Sequence, residues 1–210
     1  MPSYPIFLDL TGVPCVIVGG GLVAEGRVAA LRAAGAAVTV IAPHATEALH
    51  KWASDGRIRL EPRPYTSGDL RGARLAFAAT DQETVNDQVA RDARAAGIWV
   101  NTADDLPRCD FMLPSVLRRG ELVVAVGTGG ASPALARAVR LRLEAYLGPE
   151  YADLVRLVAQ VRRELRGRGV RPDPATWERA LGGDLSQLVA TGDGAEARAR
   201  LVARLTLPCP

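Results

Sequence analysis

The chain has 210 residues, 48% of them hydrophobic, which allows one large domain or a core domain with an appendage and is enough for a packed core. Its net charge is only +3 and its aromatic content 5%, with no interleaving of aromatic and basic residues, so a stacking surface for single-stranded nucleic acid has no support and no nucleic-acid partner is expected. Cys15, Cys109 and Cys209 form no C-x-x-C pair, which argues against a disulfide framework or structural zinc and for a reducing cytoplasm.

The amino terminus, Met1-Pro2-Ser3-Tyr4-Pro5, lacks the basic and long apolar regions of a secretory signal, and the longest apolar stretches are strand-sized, so no membrane partner is expected. The first strand signal is Cys15 to Val18. It stops at Gly19-Gly20-Gly21 and opens a helical pattern with Ala24, Val28 and Leu31 on one side, closing at Gly35. Glycines remove the Cβ atoms that block close approach, and the following helix offers unpaired N–H groups to an anion. The spacing Gly19-x-Gly21-x-x-Ala24 fits the dinucleotide fingerprint, a pattern that also occurs in plain strand-to-helix turns.

Further non-alternating apolar runs follow at Val38 to Ala42, Leu75 to Ala79 and Ile98 to Val100, as expected of parallel strands covered on both faces. A helical pattern through Val85, Val89, Ala93 and Ala96 precedes Gly97. The alternation predicts an α/β fold, a Rossmann-like doubly wound parallel sheet over residues 1–112, with ligands outside the carboxyl ends of the strands. After the second strand, residues 39–44 carry neither the acid that normally bonds the ribose hydroxyls nor an arginine for a 2′-phosphate, which favours NAD over NADP and leaves His44 or backbone groups for the ribose. After the last strand, Asp104 and Asp105 stand where such folds assemble their sites; Asp-Asp is also ordinary turn chemistry.

Residues 1–112 carry a net −2 and residues 113–210 a net +5, and Lys51 is the only lysine. In the second part, strands at Ser115–Leu117 and Leu122–Val126 flank a predicted turn, Arg118-Arg119-Gly120-Glu121. A second glycine loop, Gly127-Thr128-Gly129-Gly130-Ala131, leads to Ser132 as N-cap and Pro133 as first helical residue. The helix that follows is read with Leu135, Val139 and Tyr146 on its apolar side and with Arg137 and Arg140 on another face. Thr128, Gly129, Gly130, Ser132, Arg137 and Arg140 therefore form a second candidate anion site, a well-capped helix with solvated arginines being the plain alternative. The predicted organisation continues with a small α+β dimerisation and substrate-binding region at 113–147 and a C-terminal helical region at 148–210. The latter has helices from Tyr151 to Leu165, Ala175 to Leu181, Leu185 to Val189 and Ala195 to Leu205, and no catalytic role is assigned to it.

Over about residues 4–147 the chain resembles the siroheme synthase dehydrogenase/ferrochelatase domain, the precorrin-2 dehydrogenase and sirohydrochlorin ferrochelatase family. The likeness is carried by Pro5-Ile6-Phe7-Leu8, the run from Val18 to Ala24, Gly35 to Pro43, Ala79-Thr80-Asp81, Asn86, Val100-Asn101, Asp104-Asp105, Cys109-Asp110-Phe111 and Pro114-Ser115. Its most specific block is Gly129 to Arg137.

The resemblance implies NAD-dependent removal of two hydrogens from precorrin-2, a carboxylate-rich tetrapyrrole, to give sirohydrochlorin. In some members ferrous iron follows as a substrate rather than a resident cofactor. It places the catalytic aspartate at Asp104 and NAD contacts at Leu22, Val23, Pro43 and His44, and it implies a homodimer through the middle region; with the fingerprint glycines Gly19, Gly20 and Gly21, and with Thr80, Asp81 and Asn101, these make up the candidate cofactor-binding residues. No dedicated metal ligands are expected, since His44 and His50 are the only histidines.

The chain departs from the family pattern at Gly26-Arg27, where Arg-Lys is usual, at Asp105-Leu106-Pro107, where the proline follows the aspartate pair directly, and at Thr128, where serine is common. Two other functions fit the glycine fingerprint: a dimeric NAD(H)-sensing module without turnover, and a dehydrogenase of another acidic substrate.

Overall fold

Strands covered on both faces must be apolar on both, and four such runs belong to one parallel sheet. They are β1 (Pro14–Val18), β2 (Ala37–Ile41), β4 (Leu75–Ala78) and β5 (Trp99–Thr102), joined by a short edge strand, β3 (Arg59–Glu61), in the order β3-β2-β1-β4-β5. These elements come from a computed structural model that describes residues 3–103 and 105–206. Asp104 and Cys209, both singled out in the sequence, lie outside the described residues.

The side chains of each strand alternate between two cores. Cys15, Ile17, Leu75 and Phe77 face α1 (Leu22–Ala33), which contributes Ala24, Val28 and Leu31. Val16, Val18, Ala76, Ala78 and Val100 face α3 (Glu83–Ala95), which contributes Val89, Ala90 and Ala93. Burial pushes the Cys15 thiol up to about 11, which leaves it an apolar filler and not a reactive group.

A further helix, α2 (Glu47–Ser54), was not expected from the sequence; it is capped by Thr46, whose hydroxyl accepts from the Leu49 amide at 3.4 Å. The chain builds outward from β1 through β2 to β3, then returns to the other side of β1 for β4 and β5. The strand order therefore reverses between β1 and β4, and a crevice opens at their carboxyl ends.

The chain divides into two compact units, Met1–Leu113 and Pro114–Pro210. In the second, β6 (Ser115–Arg119) and β7 (Leu122–Val126) form an antiparallel hairpin with Arg118 opposite Val123 and Arg119 opposite Leu122. The expected turn was too wide: Arg118 and Arg119 are strand residues, and Gly120 at φ 57° with Glu121 closes a two-residue turn. Helix α4 (Pro133–Tyr146) packs on this hairpin.

The apolar side expected for α4 is corrected as well. Leu135 is 56% and Tyr146 77% exposed, while the small Ala136 is buried and Val139, Arg140, Leu143 and Glu144 are half-buried. Four more helices follow: α5 (Tyr151–Gly167), α6 (Pro174–Leu181), α7 (Leu185–Ala190) and α8 (Gly194–Thr206), packed around Val161, Leu165, Ala180, Leu185, Ala197, Leu201 and Leu205. Among the described residues no helix is long and apolar enough to cross a membrane.

Candidate active site at the carboxyl edge of the sheet

Each glycine after β1 has its own steric reason. Gly19 sits at φ 121°, and a Cβ there would lie 2.2 Å from the carbonyl oxygen of Ala79, at the end of the neighbouring β4. Its amide donates to Ile41 O at 2.9 Å, which ties the loop to β2. A Cβ on Gly20 would lie 2.1 Å from the carbonyl oxygen of His44. Gly21 differs, since a Cβ there meets nothing within 4 Å.

Gly21 is thus the position at which the backbone lies open. It is the N-cap of α1 and supplies no side-chain cap, which leaves the first amides of a 12-residue helix for an outside acceptor. Leu22, 80% exposed, and Val23, also exposed, form an apolar lip beside those amides. The residues fit a nicotinamide dinucleotide: an open backbone cradle for the pyrophosphate and apolar surface for a ring.

Across the crevice, the turn after β4 is clamped by one side chain. Asn86, buried in the first half of α3, accepts from the Thr80 amide at 3.2 Å and from its hydroxyl at 2.8 Å, and its own amide donates to Thr80 O at 3.0 Å. The Thr80 hydroxyl also accepts from the Gln82 amide at 3.1 Å. Asp81, next in the turn, is exposed. After β2, Pro43 and His44 are exposed as well and Ala42 is buried. The only lysine, Lys51, lies one turn into α2 and ion-pairs with Asp55 at 3.8 Å.

The loop after β5 is held by polar groups, of which Asn101 is buried, Cys109 half-buried and Asp110 exposed. Asn101 donates to Phe111 O at 2.9 Å, and Asp110 accepts from the Val100 amide at 2.9 Å. The Cys109 sulfur accepts from the Thr102 amide at 3.2 Å, and burial raises the pKa of that thiol. Phe111 packs edge-on against Phe77 with ring centres 5.6 Å apart.

Arg108, in the short 3-10 turn Leu106–Arg108, is surrounded by carboxylates: Asp87 at 2.8 Å, Glu83 at 3.3 Å, and Asp105 in direct contact. Asp81, Glu83, Asn86, Thr102, Asp105 and Arg108 line a pocket of about 240 Å³. The Thr102 hydroxyl at its edge is buried without a hydrogen-bond partner among the described residues.

In the second unit, the glycine loop is organised as the sequence suggests. Ser132 accepts from the Leu135 amide at 3.1 Å, and the Thr128 hydroxyl accepts from the Ser132 amide at 3.0 Å. Gly129 and Gly130 take positive φ, 62° and 86°. The two arginines differ in burial and in partner, however. Arg137 is exposed, whereas Arg140 is half-buried and pairs with Glu144, which Arg119 also approaches at 3.5 Å.

The structure therefore brings Gly19, Gly20, Gly21, Leu22, Val23, Thr80 and Asp81 to the crevice between β1 and β4, with Pro43 and His44 at its β2 side. Asn101 is at the end of β5, its amide committed to the loop. Asn86 enters the sequence reading only as one residue of the family resemblance and Arg108 not as a site residue at all: by local pattern each is an ordinary polar residue of a helix or turn, and only the fold sets one against Thr80 and the other among three acids.

A protein-family model described as "Putative NAD(P)-binding" matches residues 6–115. The siroheme synthase of Nitrosococcus oceani is 41% identical over 207 residues, covering 98% of this chain and 44% of its own length. That of Methylococcus capsulatus is 43% identical over 201 residues, covering 94% and 42% respectively. The chain thus spans less than half the length of these curated relatives. A solved structure titled "SirC, precorrin-2 dehydrogenase" has the same fold, with a TM-score of 0.75 over 94% of this chain and 100% of that one at 23% identity. With the crevice, the glycine cradle and a family model covering more than half its residues, this chain belongs to the NAD(P)-binding family.

Proposed function

We propose that the chain catalyses NAD-dependent dehydrogenation of precorrin-2 to sirohydrochlorin, a step of siroheme synthesis. The observation that carries this reading is the similarity to siroheme synthases over 98% of the chain, which takes in both units and not the dinucleotide-binding one alone. Bound at the crevice, the nicotinamide supplies the hydride acceptor.

The protein's own residues bind, orient and accept a proton. The open amides at Gly21 and the start of α1 take the pyrophosphate, with Gly19 and Gly20 letting β4 and the β2 loop close around it. Leu22 and Val23 give apolar contact. Pro43 and His44 flank the ribose; with no arginine in that loop and Lys51 paired to Asp55, a 2′-phosphate lacks a partner and NAD is the cofactor. Thr80, Asp81 and Asn101 border the nicotinamide half. Asp104 takes the proton that leaves as the substrate carbon pair becomes unsaturated.

The acidic arms of the substrate are held by Thr128, Gly129, Gly130, Ser132 and Arg137, and by Arg140 once it exchanges Glu144 for a ligand carboxylate. Residues 113–147 form the dimerisation and substrate-binding region of a homodimer, and residues 148–210 a helical appendage. A reducing cytoplasm suits the free thiols of Cys15 and Cys109. Ferrous iron, if inserted, is a second substrate: among the described residues no cluster of His, Cys, Asp or Glu could hold it as a resident metal.

Asp104→Ala tests the reading. Loss of a positioned base lowers the dehydrogenation rate by about 10²- to 10⁴-fold while NAD affinity stays unchanged. A variant that dehydrogenates at the parental rate refutes the role of Asp104, and a parent protein that binds NAD but leaves precorrin-2 untouched identifies an NAD-sensing module instead.

A further inference from the structure

The helical unit contains a groove of about 740 Å³ between α5 and α6, within the size range of small-molecule sites. Its walls are Val158, Leu165, Val170, Pro172, Trp177 and Leu181, of which Val170 and Leu181 are exposed. Three guanidiniums stand around this apolar surface: Arg162 and Arg166, one helical turn apart on α5, and Arg171 in the segment before α6. None of the three makes an ion pair or side-chain hydrogen bond among the described residues.

Of the acids close by in sequence, Glu178 on α6 does not line the groove, and the other two are already committed. Glu164 bonds Arg198 and Gln160, and Asp173 caps α6 by accepting from the Thr176 amide at 2.6 Å. Two like charges at i and i+4 repel each other along a helix, so Arg162 and Arg166 are better placed with an anion than without one. An apolar patch bearing an indole and ringed by three separated, unpaired guanidiniums complements a ligand that is flat and apolar at its centre and carries several carboxylates at its rim. A fatty acid, with one charge at one end, matches it poorly.

We infer that this groove is a second binding site for a polycarboxylated tetrapyrrole, with Trp177 against the macrocycle and Arg162, Arg166 and Arg171 on its carboxylates. The ligand class rests on the proposed tetrapyrrole chemistry; the groove itself does not. Guanidinium suits this task because its planar fork pairs with carboxylates and also stacks on flat rings.

The test uses the full chain with Trp52→Phe and Trp99→Phe, so that Trp177 is the only indole, and a porphyrin bearing eight carboxylates as probe. The expected result is saturable quenching of Trp177 that weakens with salt and falls about tenfold or more in affinity in an R162A/R166A/R171A variant, an outcome of three lost charge pairs at a surface site. All three arginines are exposed, and circular dichroism checks that the variant stays folded. Arg163→Ala, on the same helix but outside the groove, leaves the affinity unchanged.

Quenching that is absent, or indifferent to the three arginines, overturns the inference. So does arginine-dependent binding of a long-chain fatty acid or an acidic amphipathic peptide in place of the porphyrin. Dehydrogenation measured on the same variant separates the two proposals: turnover retained with porphyrin binding lost supports the groove site, whereas porphyrin binding by a protein that never dehydrogenates precorrin-2 refutes the proposed activity alone.

Discussion

Alanine at Gly19 and at Gly21 separates folding from cofactor binding within a single loop. At Gly19 the backbone sits at φ 121°, which L residues rarely adopt, and the new Cβ would lie 2.2 Å from the Ala79 carbonyl oxygen and 2.6 Å from its carbon. Both atoms are backbone, so the ends of β1 and β4 must part. Conformational strain of about 1–3 kcal/mol, together with overpacking of similar size, gives a loss of about 3 kcal/mol or more. For a chain of this length that lowers Tm by about 6–12 °C.

At Gly21 the φ is −81° and the Cβ meets nothing within 4 Å, so alanine costs no more than the N-cap preference, about 1 kcal/mol or less. The same methyl occupies the opening through which a phosphate reaches the amides of α1. Thermal unfolding and NAD titration of both variants are the assays. Gly21→Ala should unfold close to the parent temperature and lose NAD affinity by at least tenfold. If it binds NAD like the parent, the pyrophosphate does not lie there.

Gly26 stands inside α1 with open space where its Cβ would be, so Gly26→Ala should stabilise the protein by up to about 1 kcal/mol, read as a higher Tm with NAD affinity unchanged. Asn86→Ala leaves the Thr80 amide and carbonyl without the partners they have at 3.2 and 3.0 Å, and should cost about 2–3 kcal/mol and raise the KM for NAD; denaturant unfolding and steady-state kinetics check both. Asp69 is held at about 2, below its usual 3.8, chiefly by the Arg63 guanidinium. A depressed carboxylate contributes stability that is complete above its unfolded value and is lost as pH falls from about 4 toward 2. After solvent screening this amounts to about 1–2 kcal/mol, and Asp69→Asn should flatten the acid limb of stability against pH accordingly.

The parallel sheet was legible because burial on both faces writes a strand as an unbroken apolar run, as in Cys15 to Val18 and Leu75 to Ala78. Edge strand β3 has no such run: Arg59-Leu60-Glu61 pairs on one side only and is half-exposed. Helix α2 escaped because Leu49 is its one buried residue, too little for a periodic pattern. In α4 the large residues Leu135 and Tyr146 suggested the inner face, but the hairpin takes the small Ala136, and spacing alone does not distinguish a packed stripe from an uncovered one. At the site, Gly19 and Gly20 announced themselves because only their lack of a Cβ permits the close approach of β4 and the β2 loop. The tie from the Asn101 amide nitrogen to Phe111 O, a partner ten residues away, is one that no local pattern reveals.

The most direct measurement is incubation of the purified chain with precorrin-2 and NAD, following the tetrapyrrole spectrum and the appearance of reduced nicotinamide together. Conversion to the sirohydrochlorin spectrum with stoichiometric NADH is the expected result, and ferrous iron added afterwards reports any insertion step. An unchanged tetrapyrrole spectrum with NAD demonstrably bound would contradict the proposed activity.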